Sequence, residues 1–281
     1  MAIASSQDSE VDRNQILKDL KTLSADEMKG RKTGTEGNAK ARVYIKTRFQ
    51  ESGMQPDEQP FTFTYKDQTI QQKGVNVLGT IKGTDSNQAI VITAHYDHLG
   101  IKNNNIYNGA DDNASGVVGL FAVGSHFKKN PPKNTLIIAA LDAEEASGAG
   151  STTLVASLDR SKIILNVNLD MIGRDQNRIL YAVGTYHYPS LKPLIEKVAG
   201  KAPVKLLTGH DVPNLKEVED WTKESDHYAF HKFAIPFIYF GVEDFEHHHK
   251  STDDYENMTY DFFVDAVKTI LIAIQEFDDH L

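Results

Sequence analysis

Apolar positions recur at helical spacing early in the chain and later gather into short continuous runs, so the period of the pattern changes along the sequence. Over residues 10–28, Val11, Ile16, Leu17, Leu20 and Leu23 stand near helical spacing and predict an amphipathic helix. The stretch Gly30-Arg-Lys-Thr-Gly34-Thr-Glu-Gly37 reads as a glycine-punctuated loop, followed by a helix through about residue 52 that stops at Gly53. Residues 59–65 alternate, which places Phe61, Phe63 and Tyr65 on one face of a predicted strand.

Further along, apolar runs at 75–81, 89–94, 135–141, 163–169, 179–183 and 236–240 predict strands. Ile90-Val-Ile-Thr, Leu136-Ile-Ile-Ala-Ala and Ile163-Ile-Leu-Asn-Val are nearly continuously apolar, as strands covered on both faces should be. Helices are predicted at 115–129, 150–158, 190–200, 226–233 and 261–278. Strands alternating with helices imply an α/β fold, a three-layer αβα sandwich around a mixed, mostly parallel sheet. No repeat, low-complexity tract or linker interrupts the chain. Residues 1–281 are therefore expected to form one domain, with the helical segment at about 10–53 packed onto it.

Composition narrows the chemistry. Of 281 residues, 40% are hydrophobic and 25% charged, enough to fill a sizeable core. The net charge of -9 disfavours a phosphate-binding surface and therefore nucleic acid. Cysteine is absent, which removes thiolate zinc sites, disulfides and cysteine nucleophiles. No stretch approaches the roughly 20 apolar residues of a membrane span. The first residues lack the basic and apolar regions of a signal peptide. The sequence carries no signature of oligomeric state.

The ends of the predicted strands carry the candidate chemistry. Ile90-Val-Ile-Thr-Ala-His95-Tyr-Asp97 closes one strand with His and Asp; Leu136-Ile-Ile-Ala-Ala-Leu-Asp142-Ala-Glu144-Glu145 closes another with three carboxylates. A third, Ile163-Ile-Leu-Asn-Val-Asn-Leu-Asp170, ends in Asp. In open α/β sheets the ligand crevice lies outside the carboxyl ends of the strands, so these groups are aimed at one place. Asn108-Gly-Ala-Asp111-Asp112-Asn-Ala-Ser-Gly116 and Glu246-His247-His248-His249-Lys-Ser-Thr-Asp253 add further acids and imidazoles. Each piece alone has a plainer reading: a surface His-x-Asp, an acidic helix start, an N-cap, an exposed His tract. Together they gather carboxylates that would repel and protonate unless a cation sat among them. Imidazoles with carboxylates form a zinc set, and a shared carboxylate permits two ions.

These blocks, with Gly34-Thr-Glu-Gly37, Asn168-Leu-Asp170-Met-Ile-Gly173, Ser225-Asp-His227 with Ile235-Pro236, and His249-x-x-x-Asp253, stand in the order seen in a known family. The chain resembles the co-catalytic zinc aminopeptidases of clan MH, which also includes glutamate carboxypeptidase-like enzymes and glutaminyl cyclases, over most of its length. The resemblance implies two Zn²⁺ per chain, bridged by Asp112. His95 and Asp170 would complete one set of ligands, Glu145 and His249 the other. Asp97 would accept the second N–H of the His95 imidazole, and Glu144 would be the general base. It also implies a cis peptide at Asp112–Asn113. The expected reaction is hydrolysis of a peptide's N-terminal bond by zinc-activated water. Several relatives place a Tyr before the last His ligand; here His248 stands there, a candidate oxyanion or substrate contact, and only the spacing to Asp253 selects His249 over its neighbours. Export of such relatives implies a mature extracytoplasmic protein, with a cytoplasmic one as the alternative.

Two rivals follow. A glutaminyl cyclase shares this fold but works with one zinc, and a non-catalytic binding domain would be expected to lose ligands or base; here the full set is present. Carboxypeptidase or dipeptidase activity stays open. Loops at 184–190 and 208–225 are expected to supply the pocket walls, with Tyr186, His210, Asp211 and Trp221 as lining candidates for which packing is the plainer account.

Overall fold

The computed structural model describes residues 11–64 and 70–281. In chain order its main elements are α1 (Arg13–Leu23), α2 (Glu36–Glu51), β1 (Asp57–Thr64), β2 (Gln71–Ile81), β3 (Asp85–His95), β4 (Gly100–Lys102), β5 (Asn105–Tyr107), α3 (Gly116–Lys129) and β6 (Asn134–Leu141). Then come α4 (Glu144–Ser147), α5 (Ala149–Ser157), β7 (Ile163–Leu169), β8 (Ile179–Val183), α6 (Lys192–Ala199), β9 (Lys205–Thr208), α7 (His227–His231), β10 (Phe237–Gly241) and α8 (Tyr260–His280).

Eight strands form one sheet in the order β1-β2-β6-β3-β7-β10-β8-β9. The four central strands, β6, β3, β7 and β10, run parallel. β1, β2 and β8 join antiparallel to their inner neighbours, while β9 runs parallel to β8. Alternation within the buried strands assigns the two faces. Ile90, Ile92, Ala94, Leu136, Ile138, Ala140, Leu165 and Val167 turn toward α1, α2, α3, α6 and α8; Val91, Ala139 and Leu141 turn toward α5 and α7. Both faces are covered, which is why these strands read as continuous apolar runs. The result is the α/β sandwich expected from the pattern.

The differences from expectation are local. The first helix is α1 followed by a separate 3-10 turn at Asp26–Arg31. Ser24 ends α1 by donating from Oγ to the Leu20 carbonyl at 2.8 Å, and Lys29 and Gly30 take left-handed φ values of 50° and 63° that no continuous helix accommodates. β4 and β5 form a hairpin that the pattern did not suggest, joined by Asn103 and Asn104 at φ 53° and 63°, a turn that Asn tolerates. β9, four residues on the sheet edge, was also unexpected. Tyr65 and residue 10 lie outside the described residues. Among the described residues, no helix is long and apolar enough to cross a membrane.

Candidate active site

The carboxyl ends of the four parallel strands deliver the candidate residues to one cleft. His95 is the last residue of β3, Glu144 and Glu145 open α4 three residues beyond β6, Asp170 directly follows β7, and His249 lies in the loop after β10. Asp112 sits just before α3, in a loop whose Asp112–Asn113 peptide bond is cis. The cleft has a volume of about 400 Å³ and is lined by His95, Asp112, Glu144, Glu145, Asp170 and His249 among others.

Asp112 lies at the centre. Its Oδ1 is 3.4 Å from His95 Nε2, which is itself 3.3 Å from Asp170 Oδ1. Its Oδ2 is 3.3 Å from His249 Nε2, which is 3.1 Å from Glu145 Oε2. One carboxylate thus presents its two oxygens to two separate sets of donors. In a tetrahedral zinc site with bonds of about 2.0–2.1 Å, neighbouring ligand atoms stand roughly 3.3 Å apart, matching these separations. Asp112 Oδ2 and Asp170 Oδ1 are buried yet meet no donor in hydrogen-bonding geometry. Buried carboxylate oxygens of this kind fit a cation. Among the described residues, every group of side chains able to hold a metal lies here and includes Asp112.

The surrounding structure fixes this loop. The Asp253 carboxylate accepts the backbone N–H groups of Asp111 and Asp112 at 2.9 and 3.0 Å, and Arg174 Nη2 at 2.7 Å. Arg174 also pairs with Asp244. Arg31, buried, donates to the carbonyls of Leu23, Tyr96, Asn108 and Gly109 and so ties α1 and β3 to the Asp112 loop. Burial pulls its guanidinium down to about 10 despite the acids nearby. Gly116 admits the close approach of Asn113 and β7: a Cβ there would stand 2.4 Å from the Leu169 carbonyl oxygen. Asp170 is oriented by a relay in which Ser225 donates to its Oδ2 at 2.6 Å, Asn168 donates to Ser225 at 2.9 Å, and Thr93 donates to Asn168 at 2.7 Å.

Some residues act differently from the expectation. His95 Nδ1 is 3.1 Å from the backbone oxygen of Asp97, whereas the Asp97 carboxylate lies 3.8 Å away. That carboxylate instead accepts the Glu144 backbone N–H at 3.1 Å and the Thr33 hydroxyl at 3.3 Å. The tight two-residue step leaves the carbonyl facing the ring and frees the side chain to anchor α4. Asp142, third of the acids after β6, turns away and is satisfied by Thr33, Asn38, Val75 and Tyr96.

Within the His triplet, His247 Nδ1 contacts Thr252 Oγ1 at 3.0 Å and its Nε2 lies 3.8 Å from Glu246, and among the described residues it joins none of the groups around Asp112. His248 and His249 both point toward Asp112, with His248 Nε2 at 3.7 Å from Oδ2, but it is His249 that also reaches Glu145. His249 adopts a left-handed φ of 56°, an uncommon conformation for a non-glycine residue and one associated with functional sites. His98 was not singled out from the sequence. Fully buried, its Nδ1 stands 2.9 Å from Glu145 Oε1 and 3.5 Å from Asp112 Oδ2. Its spacing of three residues from His95, in the same strand-end turn, was the available signal.

The electrostatics follow from burial among acids. Burial works against a charged His95, yet Asp170, Glu144 and Asp112 together outweigh it and raise the imidazole well above its usual range. The neighbouring carboxylates of Asp112 and Glu145 carry His249 up to about 10. Burial pushes the Glu144 carboxyl well up. Burial would raise Glu145 too, but His249 and His98 hold it well below the carboxylate range. The outer wall carries Glu219, Glu224, Glu243 and Trp221, and neither Lys nor Arg is among the described residues that line the cleft. His210 stacks on Trp221 at 3.7 Å between ring centroids and reaches Glu243 at 3.2 Å, behind the lining. Asp211 is occupied by the N–H groups of Gly184 and Tyr186, and Tyr186 is exposed.

Known proteins share this arrangement of elements. A zinc aminopeptidase from Bacillus subtilis superposes with a TM-score of 0.79 at 15% identity, covering 96% of each chain. A glutaminyl cyclase from Fimbriiglobus ruber gives 0.81 at 19% identity over 95% of each chain. At such identities the likeness concerns the fold. By sequence, a probable leucine aminopeptidase 2 of Trichophyton verrucosum is 31% identical over 171 residues, covering 57% of this chain and 32% of that relative. The chain thus spans about a third of that relative's length. The family described as "Peptidase family M28" matches residues 76–274, from β2 to the last helix, and every strand end that feeds the cleft lies inside that span. The chain belongs to peptidase family M28.

Proposed function

We propose that the chain is a two-zinc aminopeptidase that releases the N-terminal residue of peptides. The observation that carries this reading is Asp112, whose two oxygens each face a separate imidazole and carboxylate set. His95, Asp170 and Asp112 would hold one ion, and Glu145, His249 and Asp112 the other. When bound, the ions supply Lewis acidity toward the scissile carbonyl and make a water nucleophile available near neutral pH.

The chain's own residues do the rest. Glu144 lines the same cleft but belongs to none of the metal-capable groups, which leaves its carboxylate free to take the proton of the attacking water and pass it to the leaving amine. Burial raises its carboxyl above the usual range, the direction in which a Glu base is tuned. His248, half exposed and lining the cleft beside His249, would offer an N–H to the developing oxyanion. The charge of the cleft chooses the substrate terminus. Acidic walls, with neither Lys nor Arg among the described lining residues, favour a free α-ammonium group and disfavour the carboxylate that a carboxypeptidase must hold.

The test is a set of aminoacyl chromogenic substrates and matched peptides with free or acetylated N-termini, each with and without a chelator. Chelator-sensitive cleavage restricted to free N-termini is expected. Cleavage of blocked peptides at a comparable rate would defeat the aminopeptidase reading. Cyclisation of N-terminal glutamine without hydrolysis would replace it with the cyclase reading.

A further inference from the structure

We propose that His98 is a positioning residue, whose Nδ1–H holds one oxygen of Glu145 so that the other faces Asp112 and His249. The inference rests on the reading above that Glu145 and His249 share an ion. Glu145 divides its carboxylate: Oε1 meets His98 Nδ1 at 2.9 Å, while Oε2 meets His249 Nε2 at 3.1 Å. The first contact has hydrogen-bond length and is shorter than the 3.1–3.4 Å between the other paired donor atoms of the two sets. His98 also stands 3.5 Å from Asp112 Oδ2, close enough to be weighed as a ligand in its own right. The division of Glu145 points to the positioning role, because Nδ1 sits on Oε1 whereas His249 meets Oε2.

The rest of the ring agrees. Nε2 is buried and has no hydrogen-bond partner. With the proton on Nδ1, what goes unmet at Nε2 is a lone pair, and no N–H is left buried without an acceptor. Gly109 clamps the ring from the other side: at φ 59°, a Cβ there would lie 2.6 Å from the imidazole Cγ and Cδ2. The Gly109 carbonyl is in turn held by Arg31 at 2.8 Å, so the backbone that presents Asp112 also fixes His98. Metal-binding carboxylates are commonly held by such outer partners, whose loss weakens metal binding by roughly 10–100-fold.

The test reads metal binding and protonation, not turnover. In zinc-loaded protein labelled with ¹⁵N-histidine, a long-range ¹H–¹⁵N spectrum should show His98 with a proton on Nδ1. A deprotonated, metal-shifted Nδ1 would make His98 a ligand and overturn the proposal. In chelator competition, His98→Ala should weaken one ion by roughly 10–100-fold and leave the other unchanged. His98→Asn, whose amide can take the place of Nδ1–H, should recover most of that loss. Unchanged binding in both variants, or an Asn variant as weak as Ala, would refute it. Wild-type protein that binds fewer than two ions would instead refute the two-zinc reading, which keeps the two failures apart. If His98→Ala does not fold, the wild-type spectrum and the Asn variant still decide.

Discussion

Asp253→Ala should destabilise the protein more than any single truncation at the rim of the cleft. The Asp253 side chain is fully buried and accepts three contacts, from the N–H groups of Asp111 and Asp112 and from Arg174 Nη2. Truncation leaves two buried N–H groups without acceptors, each costing about 1–3 kcal/mol. Arg174 keeps Asp244 and the Asn257 carbonyl, so its share falls below the roughly 3–5 kcal/mol of a wholly orphaned buried charge. The two amides alone come to about 2–6 kcal/mol, before the smaller share of Arg174 is added, a large part of the roughly 5–15 kcal/mol that keeps a domain folded. Urea unfolding of the metal-free protein measures the loss directly, and Asp253→Asn, which keeps one acceptor, should fall between parent and Ala. Zinc affinity should drop for both ions together, because the residue set loose is the shared Asp112. A loss below about 1 kcal/mol would refute the reasoning, since the two amides would then have found other partners.

Three further outcomes follow from the site. Glu144→Gln should lower kcat by about 10²- to 10⁴-fold while zinc content stays at the parental level; near-normal turnover would place the base elsewhere. His249→Ala should release one ion and retain the other, whereas His247→Ala should keep both because its ring faces Thr252; equal losses from the two variants would contradict the assignment. His227, buried against Tyr239 and donating from Nε2 to the Trp221 carbonyl at 3.0 Å, is lowered by burial to about 4. Its folded pKa lies below the unfolded value of about 6.5, so its contribution is fully present above pH 6.5 and lost as pH falls toward 4, amounting to about 3 kcal/mol. His227→Gln keeps the donor without the titration, and metal-free protein carrying it should lose less melting temperature between pH 7 and 4; parallel profiles would refute this.

The sheet was legible because its strands are covered on both faces. Ile90–Val91–Ile92 and Leu136–Ile137–Ile138 have no polar alternation to confuse the period. His95, Glu144, Glu145 and Asp170 were legible because each ends or follows such a strand or opens the helix after it, and chain order alone brings strand ends together at one rim of a parallel sheet. Asp112 and His249 lie in loops and took their roles from the family's order. Side-chain direction was not legible. His98 and His95 share one turn, and only the folded backbone shows that both rings point inward. Asp142 and Glu145 share another turn, and there Ala143, at φ 62°, sends one acid into a polar nest and the other into the cleft. The family resemblance implied a contact of Asp97 with His95, but not that the main-chain oxygen would make it. β9 and the β4–β5 hairpin escaped because strands of three or four residues give too short a pattern, and partners distant in sequence or turn chemistry secured them.

Asp112 is proposed to join two ion sites in one catalytic unit. Metal-free protein titrated with zinc, with bound metal and cleavage of a free-N-terminus aminoacyl substrate followed together, tests it most directly. Two ions per chain are expected at saturation, with full activity appearing only as the second binds. Full peptidase activity at one ion per chain, or activity that survives complete metal removal, would contradict it.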